Sequence, residues 1–280
     1  MSSPAELSDA HFRKIAAVAH EAAGLVLLRE KAPMIRSRLA RRLRALGLED
    51  YGAYCSLLSG PGGESERAKL VSALTTNVSR FFREPHHFDM LRREVFENPA
   101  FAADRHLRVW SAGCAQGQEA YSIAITGVES GLERRGRTVQ ILASDIDDDI
   151  LARAQAGVFE ASQSEGIDAA RRARFFEASG GDGLAARPGL RRHVRFERLN
   201  LNGPWPARPP FHAIFCRNVV IYFDAAAQAR LWRRFADALV PGGWLFLGHS
   251  ERIAASADCP LASRGVTAYQ HAPAPGQGGR

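Results

Sequence analysis

The chain has no uninterrupted apolar stretch approaching the about 18 residues of a membrane-spanning helix. Its first residues, Met1 to Ala10, carry Glu6 and Asp9 and have no basic segment followed by an apolar run. Neither a membrane span nor a secretory signal is expected, and a cytoplasmic location is. Cysteine is scarce: Cys55, Cys114, Cys216 and Cys259 are scattered, with no C-x-x-C pair and no histidine at metal-ligand spacing. A disulfide framework and a zinc site are therefore not expected, and reduced thiols are. Also missing are the G-x-G-x-x-G fingerprint and a Lys-Ser or Lys-Thr after Gly117, which argues against a nicotinamide dinucleotide and a P-loop.

What is present is a chain of 280 residues with 46% hydrophobic content, enough for one large domain and a smaller one. The net charge of +7 and pI near 9.7 suit an acidic partner, although the arginine-rich, alanine-rich composition weakens that inference. From His11 to about Leu74 apolar residues recur at spacings of three and four, as in Ile15, Val18, Ala19, Ala22 and Ile35, Leu39, Leu43, Leu46. This predicts a helical domain over 10–75, with Gly47 ending a helix and Gly60 to Gly63 forming a loop. Residues 76–106 read as a linker and a helix, Phe88 to Asn98, stopped by Pro99.

From Leu107 the pattern alternates: strand 107–111, helix 118–130, strand 138–143, helix 147–155, strand 212–216, helix 224–239, strand 243–248. Such alternation predicts an α/β fold, a doubly wound and mainly parallel Rossmann-like sheet over 107–270. Residues 158–197 break the rhythm and read as an inserted β subdomain, and 271–280, rich in Pro and Gly, as a disordered tail. The most telling stretch runs from Val109 to Glu119, where a strand gives way to a turn holding Gly113 and Gly117 and then to an apolar helix. Glycines admit a ligand to the backbone, the helix N-terminus offers unpaired N–H groups, and Asp145 at the next strand end can accept from a ribose. A nucleoside without a pyrophosphate fits, S-adenosylmethionine being the common one.

Five segments together resemble the CheR-type chemotaxis receptor methyltransferases: Leu74 to Glu84, Trp110 to Cys114, Ala143 to Asp147, Ile214 to Phe223 and Gly248 to Glu251. They occur in family order across residues 10 to 270. The resemblance implies methyl transfer from S-adenosyl-L-methionine to glutamates on a bacterial chemoreceptor, giving methyl esters and S-adenosyl-L-homocysteine. It implies cofactor contacts from Asn77, Ser79, Arg83, Gly113, Glu119, Asp145, Asn200, Leu201, Arg217 and Asn218, with Arg83 and Tyr222 near the transferred methyl. Five have a plainer reading as well: Asp145 as a helix cap, Glu119 as a first-turn glutamate, Asn200 and Asn218 as loop asparagines, Tyr222 as a half-buried strand-end residue. Ionised glutamate needs no general base, so no Ser-His-Asp set is expected, and His249 with Ser250 reads as the end of a strand. No metal is expected.

The helix Lys31 to Arg44 carries Arg36, Arg38, Arg41, Arg42 and Arg44 opposite its apolar stripe. Such a run is ordinarily a solvated face; in this family it would meet the acidic methylation helices of the receptor, with Arg38, Arg41 and Arg42 in contact. The β subdomain corresponds to the part that pairs with a receptor C-terminal peptide in some relatives. Membrane association would then come only through the receptor. Departures from the family pattern are Ala120, Gln118 and His212, the last in place of an aspartate. Two rivals stand: a non-catalytic cofactor-binding adaptor, and a nucleic-acid methyltransferase. The latter lacks Asn-Pro-Pro-Tyr, Asp-Pro-Pro-Tyr and Pro-Cys motifs, so nucleic acid is not expected as a partner.

Overall fold

Spacing of apolar residues at three and four along the N-terminal segment produces four helices in the computed structural model, which describes residues 6–75, 79–254 and 259–272. These are α1 (Asp9–Ala23), α2 (Ala32–Leu46), α3 (Tyr51–Ser59) and α4 (Glu64–Leu74). Ser8 and Asp50 cap α1 and α3 by accepting from His11 and Ala53 N–H, satisfying donors that a helix start leaves open. Gly24 and Gly47 end α1 and α2 in the left-handed region, as expected for Gly47. The stripes meet in a core containing Ile15, Ile35, Leu39, Tyr54 and Leu70, all fully buried. Each such aliphatic side chain contributes about 1.5–3 kcal/mol of burial.

The chain divides into two compact units. One takes these helices together with Asn200–Pro204 and Tyr222–Ala227; the other takes the rest. In the second, α5 (His86–Leu91) continues as a π-helical turn, Arg92–Phe96, and is followed by β1 (His106–Ala112), α6 (Gln118–Glu129), β2 (Thr138–Asp145) and α7 (Asp148–Ala156). The insertion follows as β3 (Val158–Phe159), α8 (Ala169–Phe175), β4 (Phe176–Ser179), β5 (Gly183–Ala186) and α9 (Pro188–Arg191). Then come β6 (Val194–Arg198), β7 (Phe211–Cys216), α10 (Ala225–Ala238), β8 (Leu239–Leu247), β9 (Leu261–Gly265) and β10 (Ala268–His271).

Among the described residues the main sheet has seven strands in the order β6-β2-β1-β7-β8-β10-β9. The first five are parallel, and β10 and β9 add an antiparallel edge. Strand β7 is buried at all six positions, the uninterrupted apolar pattern of a parallel strand covered on both faces. Its one polar residue, His212, is satisfied: Nδ1 accepts from Arg108 N–H at 3.0 Å and Nε2 lies 3.1 Å from Asp104 Oδ2. The departure from aspartate at this position thus keeps its hydrogen bonds.

Two sequence expectations change. Strands β3, β5 and β4 do form a separate antiparallel sheet, but Val194–Arg198 leaves the insertion and pairs with β2 from Ile141 to Asp145. The helix expected over Phe88 to Asn98 starts earlier and changes pitch at Arg92. The proposed tail, 271–280, lies outside the described residues from 273 on. Among the described residues, no helix is long and apolar enough to cross a membrane.

Candidate active site

The strand order places a reversal between β1 and β7, where crossovers run in opposite directions and leave a crevice at the carboxyl ends of the strands. Gly113 leaves β1 at φ +85°, and a Cβ there would stand 2.3 Å from Val219 Cγ2. Only glycine allows both the turn and that closeness. Gly113 and Cys114 N–H donate to Ser144 O at 2.8 and 2.9 Å, binding the loop to the end of β2. Gly117 then turns into α6, again at positive φ.

Asp145 ends β2. Its Oδ2 accepts from Ala115 N–H at 2.9 Å and its Oδ1 from Asp147 N–H at 3.2 Å. The helix-cap task falls instead to Asp147, which accepts from Asp149 and Ile150 N–H. Burial pushes the Asp145 carboxyl above its ordinary value, against the pull of those backbone donors. Each of its oxygens keeps a further lone pair.

Glu119, in the first turn of α6, accepts from Ser111 Oγ at 2.7 Å and from Arg217 Nη1 at 3.2 Å. Arg217, just past β7, also places Nη2 3.2 Å from Glu84 Oε2 and donates to Arg83 O at 2.5 Å. Among the described residues, its Nε and the Gln118 Oε1 are buried without a hydrogen-bond partner. Burial raises the Glu119 carboxyl, with Arg217 and Ser111 opposing. Burial would do the same to Glu84, but Arg217, His87 and the His249 N–H bring it below the ordinary value.

The segment leading to Arg83 is held under strain. Phe82 and Glu84 adopt φ +50° and +55°, rare for non-glycine residues. Phe82 N–H donates to Ser122 Oγ at 3.0 Å, and Phe81 packs edge-on against Phe159 and Phe176 of the three-stranded sheet. The backbone of Arg83 is thus fixed, while its half-buried guanidinium makes no hydrogen bond or ion pair among the described residues. Ser79 is half-buried in the same segment, and Asn77 lies outside the described residues.

Asn218 sits at φ +60°, held by Glu251. That carboxylate accepts from the N–H groups of Asn218, Val219, Val220 and Gly248 at 2.7–2.9 Å, joining the ends of β7 and β8. Strand β8 ends at Leu247, so His249 and Ser250 do follow a strand, and His249 Nδ1 lies 3.3 Å from Glu84 Oε1.

Gly113, Glu119, Asp145, Arg217, Asn218, Ser79 and Arg83 all belong to the second unit; Asn200, Leu201 and Tyr222 belong to the first. In that unit Asn200 donates from Nδ2 to Ala22 O at 2.9 Å and accepts from Asn202 N–H at 3.0 Å, the loop role that was its plainer reading. Tyr222 O accepts from Val26 N–H at 2.8 Å. On α2, Arg42 makes a bidentate pair with Glu66 at 2.7 and 2.6 Å, and Arg38 Nη1 donates to Leu74 and Thr75 carbonyls. Both are engaged inside their own unit, whereas Arg41 is exposed. Sequence reasoning quoted Glu84, Ser111 and Glu251 within its segments but gave none of them a role. Their partners, Arg217 for Glu84, Glu119 for Ser111 and four N–H groups for Glu251, are distant in sequence or on the backbone and leave no pattern to read.

The chain matches the family model described as "CheR methyltransferase, SAM binding domain" over residues 77–267 and "CheR methyltransferase, all-alpha domain" over 10–75. It is 42% identical over 268 residues to a chemotaxis protein methyltransferase of Klebsiella aerogenes, covering 94% of this chain and 90% of that protein. It is 40% identical over 267 residues to that of Escherichia coli, covering 94% and 91%. A probable chemotaxis protein methyltransferase of Rhizobium etli is 40% identical over 254 residues, covering 89% and 95%.

Proposed function

Because the chain belongs to the CheR methyltransferase family, whose members are S-adenosylmethionine-dependent methyltransferases of chemotaxis, we propose that it esterifies glutamate side chains of a chemoreceptor. The residues at the switch point fit the cofactor. Gly113 lets the loop after β1 turn tightly against Val219, Arg217 Nε and Gln118 Oε1 lack partners among the described residues, and Asp145 retains acceptor capacity for two ribose hydroxyls. S-adenosylmethionine supplies, when bound, a sulfonium-activated methyl group. Ser79 and Asn77 complete its binding in this reading, with Leu201 and Asn200 along the adenosine by family resemblance and Tyr222 beside the methyl.

The carrying observation is Arg83: its main chain is pinned by Arg217 while its guanidinium is uncommitted among the described residues. A fixed, unspent cation is suited to orienting an incoming carboxylate, bidentately or through one oxygen. Ionised glutamate is already nucleophilic at neutral pH, so this chain's residues need only align it and exclude water. The oxygen–carbon bond forms as the carbon–sulfur bond breaks, and no proton moves. The receptor's acidic helices would meet the exposed arginines of α2, Arg41 foremost, with Arg38 and Arg42 acting by holding that surface in place. Pairing of a receptor C-terminal peptide with the three-stranded sheet belongs to the same proposal, as does action at the cytoplasmic side of the receptor.

The test is incubation with methyl-labelled cofactor and a receptor cytoplasmic fragment, beside calorimetric titration with S-adenosylmethionine and S-adenosylhomocysteine. Base-labile label on the fragment is expected, and Arg83→Ala should abolish most of it while leaving S-adenosylhomocysteine binding within a few-fold. Cofactor binding without transfer to any fragment would instead make the protein a sensing adaptor.

A further inference from the structure

One edge of the main sheet is β6, and among the described residues its outer side is unpaired. At the two ends of its ladder with β2, Ile141 N–H donates to His193 O at 2.8 Å and Leu199 N–H to Asp145 O at 2.9 Å. The register sets Ile141 opposite Val194 and Asp145 opposite Arg198. Residues of a parallel strand alternate between bonding one neighbour and the other, so the backbone groups of Val194, Phe196 and Arg198 point away from β2. Strand β6 is terminal in the sheet, and among the described residues no backbone group reaches those three from outside.

A cavity flanks each face of this strand. One, of about 490 Å³, is lined by Tyr121, Gln155, Arg191, Val194 and Phe196; the other, of about 360 Å³, by Arg108, Gln140, Leu142 and Arg208. Arg192, Val194 and Arg195 border both. Successive side chains of a strand laid along β6 would fall alternately into one cavity and the other. Two acidic groups already reach these arginines: Glu133 pairs with Arg192 at 2.5 Å, and Glu197 pairs with Arg208 and lies 3.6 Å from Arg195. Positive charge remains in excess, and the Arg195 side chain is 79% exposed.

The geometry points to β6 as a docking edge for an acidic polypeptide segment in extended conformation. Charged residues on a sheet edge ordinarily prevent pairing, because a neutral strand would bury them unpaired. Here the same arginines select: a second copy of β6 would bring its own Arg195 and be repelled, whereas Glu or Asp side chains falling on the Arg195 face would pair with it. The edge is separate from the three-stranded sheet of the insertion and does not depend on methyl transfer.

The full-length protein is titrated, by fluorescence anisotropy, with a labelled peptide of about eight residues alternating Glu and Val. Saturable binding is expected, weakened at least about tenfold in the Arg192→Glu/Arg195→Glu double variant, whose circular dichroism should match the parent. Strand addition uses every second amide, so N-methylating alternate peptide amides should weaken binding about tenfold in one methylation register and little in the other. Indifference to both registers, affinity unchanged by the double variant, or absence of saturation at low millimolar peptide would overturn the proposal. So would tighter binding of an oligonucleotide of equal charge, which would mark a general polyanion surface.

Discussion

Arg217 and Glu84 meet at 3.2 Å between side chains only 3% and 15% exposed, tying the end of β7 to the strained segment before α5. The same guanidinium neutralises Glu119 and holds the Arg83 carbonyl. Removing it leaves two buried carboxylates without their cation. Arg217→Ala is expected to cost about 3–5 kcal/mol in urea unfolding. Arg217→Lys should fall between, since one ammonium cannot reach three acceptors in a fixed fork. A loss below about 1 kcal/mol for the alanine variant would show that the cluster relaxes without its centre.

Glu251 gathers four backbone N–H groups with two oxygens. Glu251→Gln replaces one acceptor by an NH₂ that must face donors, so at least one N–H at the β7 end loses its partner. The expected cost is about 2–4 kcal/mol in chemical denaturation, with weaker cofactor binding because Asn218 is released. An unchanged unfolding midpoint would mean the four N–H groups find water equally well.

That role was not legible in the sequence, and the reason is physical. A glutamate following His249 and Ser250 has no periodic signature, and its partners are backbone groups brought together only when β7 and β8 pair. By contrast, β1, α6, β2 and α7 were readable, because continuous apolar runs mark the buried strands and helix, and Gly113, Gly117 and Gly157 mark turns. Strands β9 and β10 escaped notice because exposed Ala262 to Gly265 breaks any apolar alternation. On α2 the sequence separated the basic face from the buried stripe, but only the packing of α4 decides which arginine meets Glu66.

Arg41 and Arg42 should therefore behave differently although they are adjacent. Arg42→Ala leaves Glu66, 6% exposed and also accepting from Tyr54 Oη at 3.0 Å, without its guanidinium. It should lower stability by about 2–3 kcal/mol. Arg41→Glu should leave the thermal midpoint unchanged and reduce kcat/KM for a receptor fragment several-fold, more at low salt. Equal effects of the two on both readouts would contradict this division.

His87 is fully buried, with Nε2 3.0 Å from Thr267 Oγ1 and Nδ1 3.5 Å from Glu84 Oε2. Burial, with Arg217 and His86 adding to it, brings its pKa down to about 3. The unfolded chain takes up this proton near pH 6.5 and the folded one does not until about 3, so the unfolded state binds more protons between those values. Stability is complete above 6.5 and falls with decreasing pH across that window, by up to about 1.4 kcal/mol per unit from this group. The difference between the parent and His87→Gln, measured by urea unfolding from pH 7 to 4, should show that slope. A pH-independent difference would mean that His87 is charged in the fold.

Gly113 offers the sharpest test of the cofactor loop, because two costs can be separated there. An alanine would be strained by φ +85° and would also press its Cβ to 2.3 Å from Val219 Cγ2, in a loop bound to Ser144 O. Gly47 has φ +65° with nothing within 4 Å, so Gly47→Ala measures the backbone term alone, expected at about 1 kcal/mol. Gly113→Ala should lose more than that and weaken S-adenosylhomocysteine binding at least about tenfold by calorimetry. Pairing it with Val219→Ala removes the clash but not the strain. Stability should then return toward the Gly47→Ala value, while affinity recovers only to the extent that the loop regains its path. If Gly113→Ala bound S-adenosylhomocysteine normally, the tight path of this loop past Val219 would not be what the cofactor requires.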